Sequence, residues 1–407
     1  MPAAPQAPAL HHERSVFDGW RSLVISLYMT LVGYGVLAGI PVISTAWATQ
    51  LGFSDVQTGR VAGADLGGLA LGAVLASLLV AQINRRLLVF LAALVAIAAN
   101  ALCMVLVDYD AVLWLRLLAG TGSGVYTAIA VANLGASSKP ARAYNIMLFC
   151  FAFTQAGEMF ALPRLSMDAI YGVFVAAYLF GLLFLRWVPP RPVEASLDVE
   201  VELPDPELGS VVEHRHVPAV VPWLCLAAIA ATYINIGAYW TYIELATARA
   251  ALDKAWVSNV LVWVSFMSLL GCLVATVISN RFGLLRPLLV TLLVHAAIVG
   301  MLAAGVTSVT FFVSVYTFNF LWIFIDVYQM ATVANVDHSG RFASLLPAAQ
   351  GLGQIVGPNL AASTLALGFG YDAVFLFCAG ASLVAFAIYA GLFLRLRRTL
   401  PALANAA

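Results

Sequence analysis

What most limits the folds open to this chain is a series of apolar runs, each long enough to cross a bilayer. At roughly 1.5 Å of rise per residue, about 20 helical residues span the hydrocarbon core. Such runs fall near residues 23–46, 57–82, 87–107, 111–136, 141–165 and 168–188, and again near 219–247, 255–279, 286–305, 308–334, 341–367 and 372–396. With no water to satisfy backbone N–H and C=O groups, each run must close its hydrogen bonds within itself, as a helix does. An all-α membrane protein of twelve transmembrane helices follows. The first run is too long for a signal-peptide core and contains Ser26, Thr30, Tyr34 and Thr45, so it reads as an uncleaved span. Only 10% of the 407 residues are charged, against about 25% in soluble domains.

The charges sit between the runs and divide the chain. Residues 1–18, rich in Pro and Ala, read as a disordered tail whose His11-His12 pair is too isolated for a metal site. Residues 19–188 form a first six-helix bundle, 189–218 an acidic linker, 219–397 a second six-helix bundle and 398–407 a short tail. Short cytosolic loops retain Lys and Arg. Placing both termini and the linker in the cytosol leaves only Arg60, Arg116, Arg164, Arg249 and Lys254 of the 20 cations on the other side, so an inner or plasma membrane protein with both ends cytosolic is expected. The halves also echo one another. Val131-Ala132-Asn133 ends the fourth run and Val333-Ala334-Asn335 the tenth, while Asn84-Arg85 ends the second and Asn280-Arg281 the eighth. These matches agree on one duplication, two bundles in parallel repeat, an arrangement of transporters with a site between the halves.

Arg116 lies within an otherwise apolar run, where a cation costs roughly 2.5–3.5 kcal/mol and needs a partner, a wet cavity or a path to the headgroups. Gly120 and Gly124 follow it on the same helical face, so another helix can approach closely. The alternation Gly120-x-Gly122-x-Gly124 follows no strand and precedes no P-loop Lys, so it reads as packing, not phosphate binding.

These residues resemble the major facilitator superfamily, over nearly the whole chain. Arg116, Gly120 and Gly122 match its fourth-helix R-x-x-x-G-x-G core. Its G-x-x-x-D-R-x-G-R-R loop motif is matched by Arg281 and Gly283, with Asn280 where Asp is usual and Leu284 where Arg is usual; in the first copy Arg85 and Arg86 remain and Asn84 replaces Asp. The fifth-helix motif of the drug antiporters, G-x-x-x-G-P-x-x-G-G, is absent around Gly157 and Pro163, and a related Gly353-x-x-x-Gly357-Pro358 stands in the eleventh run. The resemblance implies that helices one, four, seven and ten line a central cavity and that Arg85, Arg86, Asn280, Arg281 and Gly283 form gating loops.

Two polar stripes agree with that implication. Thr232, Asn235, Tyr239 and Tyr242 recur at three- and four-residue steps in the seventh run, and Asn319, Trp322, Asp326 and Gln329 in the tenth. Polar groups in lipid must face protein or water, so each stripe lines either a cavity or a hydrogen-bonded seam between helices. Tyr34, Tyr126, Tyr239, Tyr242 and Trp322 give the expected cavity an aromatic character suited to an amphipathic solute. Among ionisable groups, Asp65, Arg116 and Glu158 lie at similar depth, roughly 8–12 Å below the outer boundary, which permits Arg116 to pair with Asp65, with Glu158 or with neither. Asp326 lies deeper in the second half, and Glu244 is close enough to a helix end to be an interface residue. His295 lies in the ninth helix, which the resemblance implies is peripheral, so it reads as structural rather than as a proton relay.

The reading is a secondary transporter, proton-coupled, carrying a small amphipathic, aromatic or anionic solute by alternating access and working as a monomer. A drug/proton antiporter and a non-transporting sensor on the same fold are the alternatives. No cofactor or metal is expected: Cys103, Cys150, Cys225, Cys272 and Cys378 are isolated packing residues. Neither H-E-x-x-H nor G-x-S-x-G occurs, which argues against an enzyme. Equal counts of 20 basic and 20 acidic residues give no reason to expect nucleic acid.

Overall fold

The computed structural model describes residues 16–80, 83–137, 140–190, 218, 220–278, 281–336, 342 and 345–396. The tail with His11 and His12, the acidic interval 191–217, Asn280, Arg341 and the last residues from 397 lie outside the described residues. Among the described residues all regular structure is helical.

The first span comprises α1 (Trp20–Gly33) and α2 (Gly35–Gln50), joined at Tyr34. Then come α3 (Asp55–Leu79), α4 (Arg85–Cys103), α5 (Tyr109–Gly135), α6 (Pro140–Ala161) and α7 (Met167–Leu183). After the linker, α8 (Val220–Arg249) is followed by α9 (Lys254–Val264) and α10 (Met267–Ile278), two pieces of one span. The chain ends with α11 (Leu285–Gly300), α12 (Ser308–Val336), α13 (Leu346–Ala366) and α14 (Tyr371–Leu396). Ten of these segments are long and apolar enough to cross a membrane. The two others are α7, at 17 residues, and α13, diluted by Gln350, Gln354 and Asn359.

Helix starts at the face away from the termini, here the distal face, are set by local polar caps. Ser54 and Gln57 form a reciprocal capping box on α3, and Asp108, Ser166 and Asp253 each accept from the backbone of α5, α7 and α9. Each cap satisfies an otherwise orphaned N–H and so fixes where a span re-enters the membrane.

Within the first half, α3 and α5 meet backbone to backbone. A Cβ on Gly120 would stand 2.1 Å from the Asp65 carbonyl oxygen, and one on Gly124 2.1 Å from that of Leu69. The glycine spacing read from the sequence therefore exists to let these two helices touch. In the second half Gly353 and Gly357 do the same for α13, whose added Cβ atoms would lie 2.5 Å from the Ala230 oxygen and 2.3 Å from the Ile234 oxygen of α8. The halves meet where α2 packs on α8, α3 on α13 and α6 on α9.

Candidate translocation site

Arg116 is fully buried, and its guanidinium is engaged on every side by protein groups. Its Nε and Nη2 donate to Asp65 Oδ2 at 2.8 and 2.5 Å, and its Nη1 donates to Asn100 Oδ1 at 2.7 Å. The guanidinium also stands 5.6 Å from the Tyr171 ring. Arg116 and Asp65 are 1% and 3% exposed. The pair ties α5 to α3 and α4 inside the first half, and it occupies the planar fork with protein partners. Tyr126, 5.1 Å from Tyr178, is likewise interior to that half.

The two polar stripes face mostly into the second half. Gln329 Nε2 donates to Thr232 Oγ1 at 2.8 Å, Asn235 Nδ2 to Ser382 Oγ at 2.6 Å, and Tyr239 shares a 2.9 Å bond with Ser314. His295 Nδ1 joins the Asn235–Ser382 pair at 3.4 and 3.3 Å. Asn319 donates to the Val315 carbonyl of its own helix at 3.2 Å. For these residues the seam, not the cavity wall, describes the geometry. Tyr242 differs: its hydroxyl crosses to the Asp55 carbonyl of the first half at 2.9 Å.

A different face of α8 meets α12 and α13. Tyr233, Gly237, Trp240 and Glu244 follow at steps of four, three and four, a stripe whose polar signal is diluted by a glycine and by the largely apolar indole of Trp240. Tyr233 donates to Asp326 Oδ2 at 2.6 Å, and Gln350 Nε2 reaches Oδ1 at 3.4 Å. Gly237 lies against Gln354 and Pro358 of α13, and Trp240 stands 6.2 Å from Trp322. Tyr34, at the join of α1 and α2, packs edge-on against Phe151 of α6 at 6.3 Å. Glu158 of α6 presses its carboxylate on the same stretch of α2: added Cβ atoms at Gly35 and Gly39 would meet its oxygens at 3.0 and 3.1 Å. Its Oε2 is buried with no hydrogen-bond partner. Asp326, Tyr233, Gln350 and Trp322 thus cluster where α8, α12 and α13 meet, while Tyr34 and Glu158 lie together along α2 and α6 in the first half.

The distal ends of the halves are drawn together. Arg249 donates to both oxygens of Asp55 at 3.2 and 2.7 Å, and Tyr371 donates to Oδ2 at 2.8 Å. Deeper along α3, Arg60 donates to Asn359 Oδ1 at 3.0 Å and to Ser363 Oγ at 2.9 Å on α13. At the terminal face Arg85 donates to Asn133 at 2.7 Å, and Arg86 to the carbonyls of Val188 and Arg186 at 2.6 and 2.8 Å, all within the first half. Arg281 is exposed, and Gly283 adopts a φ of 73° that favours glycine in the turn before α11. No group of three or more His, Cys, Asp or Glu side chains suited to a metal occurs among the described residues.

A scan against protein families matches the Major Facilitator Superfamily over residues 25–358. The chain belongs to that superfamily. Solved structures agree in fold. The nucleoside transporter NupG superposes with a TM-score of 0.68 at 12% identity, covering 91% of this chain and 98% of its own. A D-xylose-proton symporter gives 0.68 at 13%, covering 90% and 96%. A bacterial homolog of the human lysosomal transporter Spinster, captured inward-facing and unoccupied, gives 0.68 at 13%, covering 96% and 100%. At these identities the likeness is one of fold. A comparison with curated proteins gives no significant match.

Proposed function

We propose that this superfamily member is a proton-coupled secondary transporter that moves a small, amphipathic, uncharged or cationic organic solute between the two halves. The observation that carries the solute class is the engagement of Arg116 by Asp65 and Asn100. Arg116, the buried guanidinium that could otherwise hold an anionic solute, has its donors spent inside one bundle. Two further carboxyl groups within the spans are Asp326, held among Tyr233, Gln350 and Trp322 in the second half, and Glu158, held against α2 near Tyr34 in the first, and this reading takes them as the two walls of the solute path. Aromatic faces with a few fixed polar groups suit a flat solute that also hydrogen-bonds. Two structures of the same fold are named for a nucleoside and for D-xylose with protons, both uncharged solutes.

Alternating access needs two closures that exclude one another. The Asp55 and Arg60 contacts supply the one at the distal face. Asp326 is the residue we assign to solute, since Tyr233 and Gln350 orient it. Glu158 is assigned to the proton: burying an isolated carboxylate costs far more than burying the neutral acid.

The test is flux into proteoliposomes of the pure protein, with a nucleoside, a pentose, an aromatic amine and an aromatic carboxylate as probes. One of the first three should move and respond to a pH gradient. Glu158→Gln should preserve exchange while losing gradient-driven accumulation, and Asp326→Asn should weaken binding itself. Transport of the carboxylate alone would overturn the solute class. Unchanged accumulation in Glu158→Gln would remove that residue as the coupling site.

A further inference from the structure

We infer that the lipid-facing seam between α1 and α7 is a binding site for an anionic phospholipid, which places its phosphate at Arg21 and Arg186 and an acyl chain along a ladder of aromatic rings. Five rings make the ladder: Tyr28 stands 5.5 Å from Phe180, Phe180 5.2 Å from Phe184, Phe184 4.7 Å from Trp187, and Trp187 5.2 Å from Trp20. Trp20 and Tyr28 belong to α1, Phe180 to α7, and Phe184 and Trp187 to the tight turn that follows α7. The helix from Trp20 to Tyr28 covers about 12 Å, so the ladder descends from the terminal face into the span. Tyr28 donates to the Ala177 carbonyl at 2.7 Å, which ties α1 to α7 beneath the rings and makes them a floor, not a gap. The outer side of that floor is bare: Trp20 is 62% exposed, Phe180 51% and Leu183 75%.

An apolar surface toward lipid names no occupant by itself; the charges at its upper end do. The Arg21 guanidinium stands 5.5 Å from the Trp20 ring, and Arg186, exposed, is the chain neighbour of Trp187. Among the described residues neither guanidinium has a hydrogen-bond or ion-pair partner. The turn that carries Arg186 and Trp187 is pinned by Arg86 of α4, whose Nε and Nη2 donate to the carbonyls of Val188 and Arg186 at 2.6 and 2.8 Å. Three guanidinium groups therefore gather around the Trp20–Trp187 pair, against one half-buried carboxylate in the same stretch, Asp18. Planar guanidinium forks match the oxygens of a phosphate, and indole rings settle at headgroup level. A ligand that is anionic at one end and apolar along its length meets both features at once, as an anionic phospholipid does. A choline headgroup brings the same chains with an added cation, which the arginines repel.

The test needs no solute and is independent of what the protein carries. Native mass spectrometry of the detergent-purified chain, titrated with phosphatidylglycerol and separately with phosphatidylcholine of the same chains, reads the first lipid bound. The native chain should hold phosphatidylglycerol more tightly. Arg21→Gln and Arg186→Gln should each reduce that preference by about fivefold, the factor that corresponds to roughly 1 kcal/mol for one arginine at a membrane surface. Arg142→Gln and Arg395→Gln, which remove exposed arginines from other helices at the same face, should leave it as it was. All four replace exposed side chains, and an unchanged thermal midpoint without added lipid confirms that each variant folds. Phosphatidylglycerol with a diazirine on its acyl chain should cross-link to the stretches Trp20–Tyr28 and Phe180–Leu183, and the label there should be lost when Arg21→Gln and Arg186→Gln are combined. Glycerol phosphate, the headgroup without chains, should not displace the lipid. Equal affinity for the two lipids, equal losses in the two pairs of variants, cross-links that fall elsewhere, or displacement by glycerol phosphate would each overturn the inference.

Discussion

At the scale of single residues, the sequence states demands that the structure answers. An arginine in an apolar run must have a partner, and that much was legible in Arg116. Which partner was not, because depth along a helix follows from counting while azimuth follows from the packing of α3 and α4 against α5. The answer has a measurable consequence. Arg116→Lys keeps the charge but loses the planar fork that gives Asp65 two bonds while reaching Asn100 with a third. Breaking a buried pair by removing one member typically costs about 3–5 kcal/mol. Arg116→Lys and Asp65→Asn should each lower the thermal unfolding midpoint of the purified protein by several degrees. A midpoint unchanged in both, with transport lost, would return Arg116 to the list of solute-binding groups.

At the scale of helices, the apolar runs fixed the number and length of the spans because the bilayer imposes both. The stripes were harder to read. A polar stripe is the same pattern whether its neighbour is water or another helix, and Thr232, Asn235 and Tyr239 proved to bond within their own half. The face that reaches Asp326 and Trp322 is carried by Tyr233, Gly237 and Trp240, where one glycine and one tryptophan dilute the polar signal. Glycines were more legible, since a small residue at four-residue steps has little other purpose in a membrane helix. Gly124→Leu would drive a Cβ to 2.1 Å from the Leu69 oxygen of α3, and a backbone atom cannot rotate away. Overpacking of this kind typically costs 1–3 kcal/mol. Its yield of folded protein in detergent should fall sharply, whereas Gly157→Ala, with nothing within 4 Å, should match the native chain.

At the scale of the whole molecule, the duplication in the sequence pointed to two comparable bundles but held no information on which end closes. We propose that 19–188 and 219–397 act as separate bodies, so cleavage at a protease site placed near Leu203 should leave the halves associated and still able to bind solute. Dissociation on cleavage would count against that division. The closed end is a tertiary fact, set by Asp55. This residue begins α3 in the first half, yet its side chain receives Arg249 from α8 and Tyr371 from α14, and its carbonyl receives Tyr242. Arg249 is 62% exposed, so its ion pair contributes only about 0.2–1 kcal/mol. The two tyrosine bonds add about 1 kcal/mol each, and only the one to the carbonyl survives loss of the carboxylate's charge unweakened. Asp55→Asn should therefore move the balance toward the distal-open state by a few-fold, not abolish closure. Asp55→Ala, which also removes the acceptor for Tyr371, should move it by about tenfold, the factor that corresponds to 1.4 kcal/mol. Labelling of Thr45→Cys, in the buried distal part of α2, by a membrane-impermeant maleimide from the distal side reads both, and the order native, Asn, Ala is the expected outcome. Equal labelling in all three would mean that the Arg60 contacts with Asn359 and Ser363 hold the distal face shut without help from Asp55.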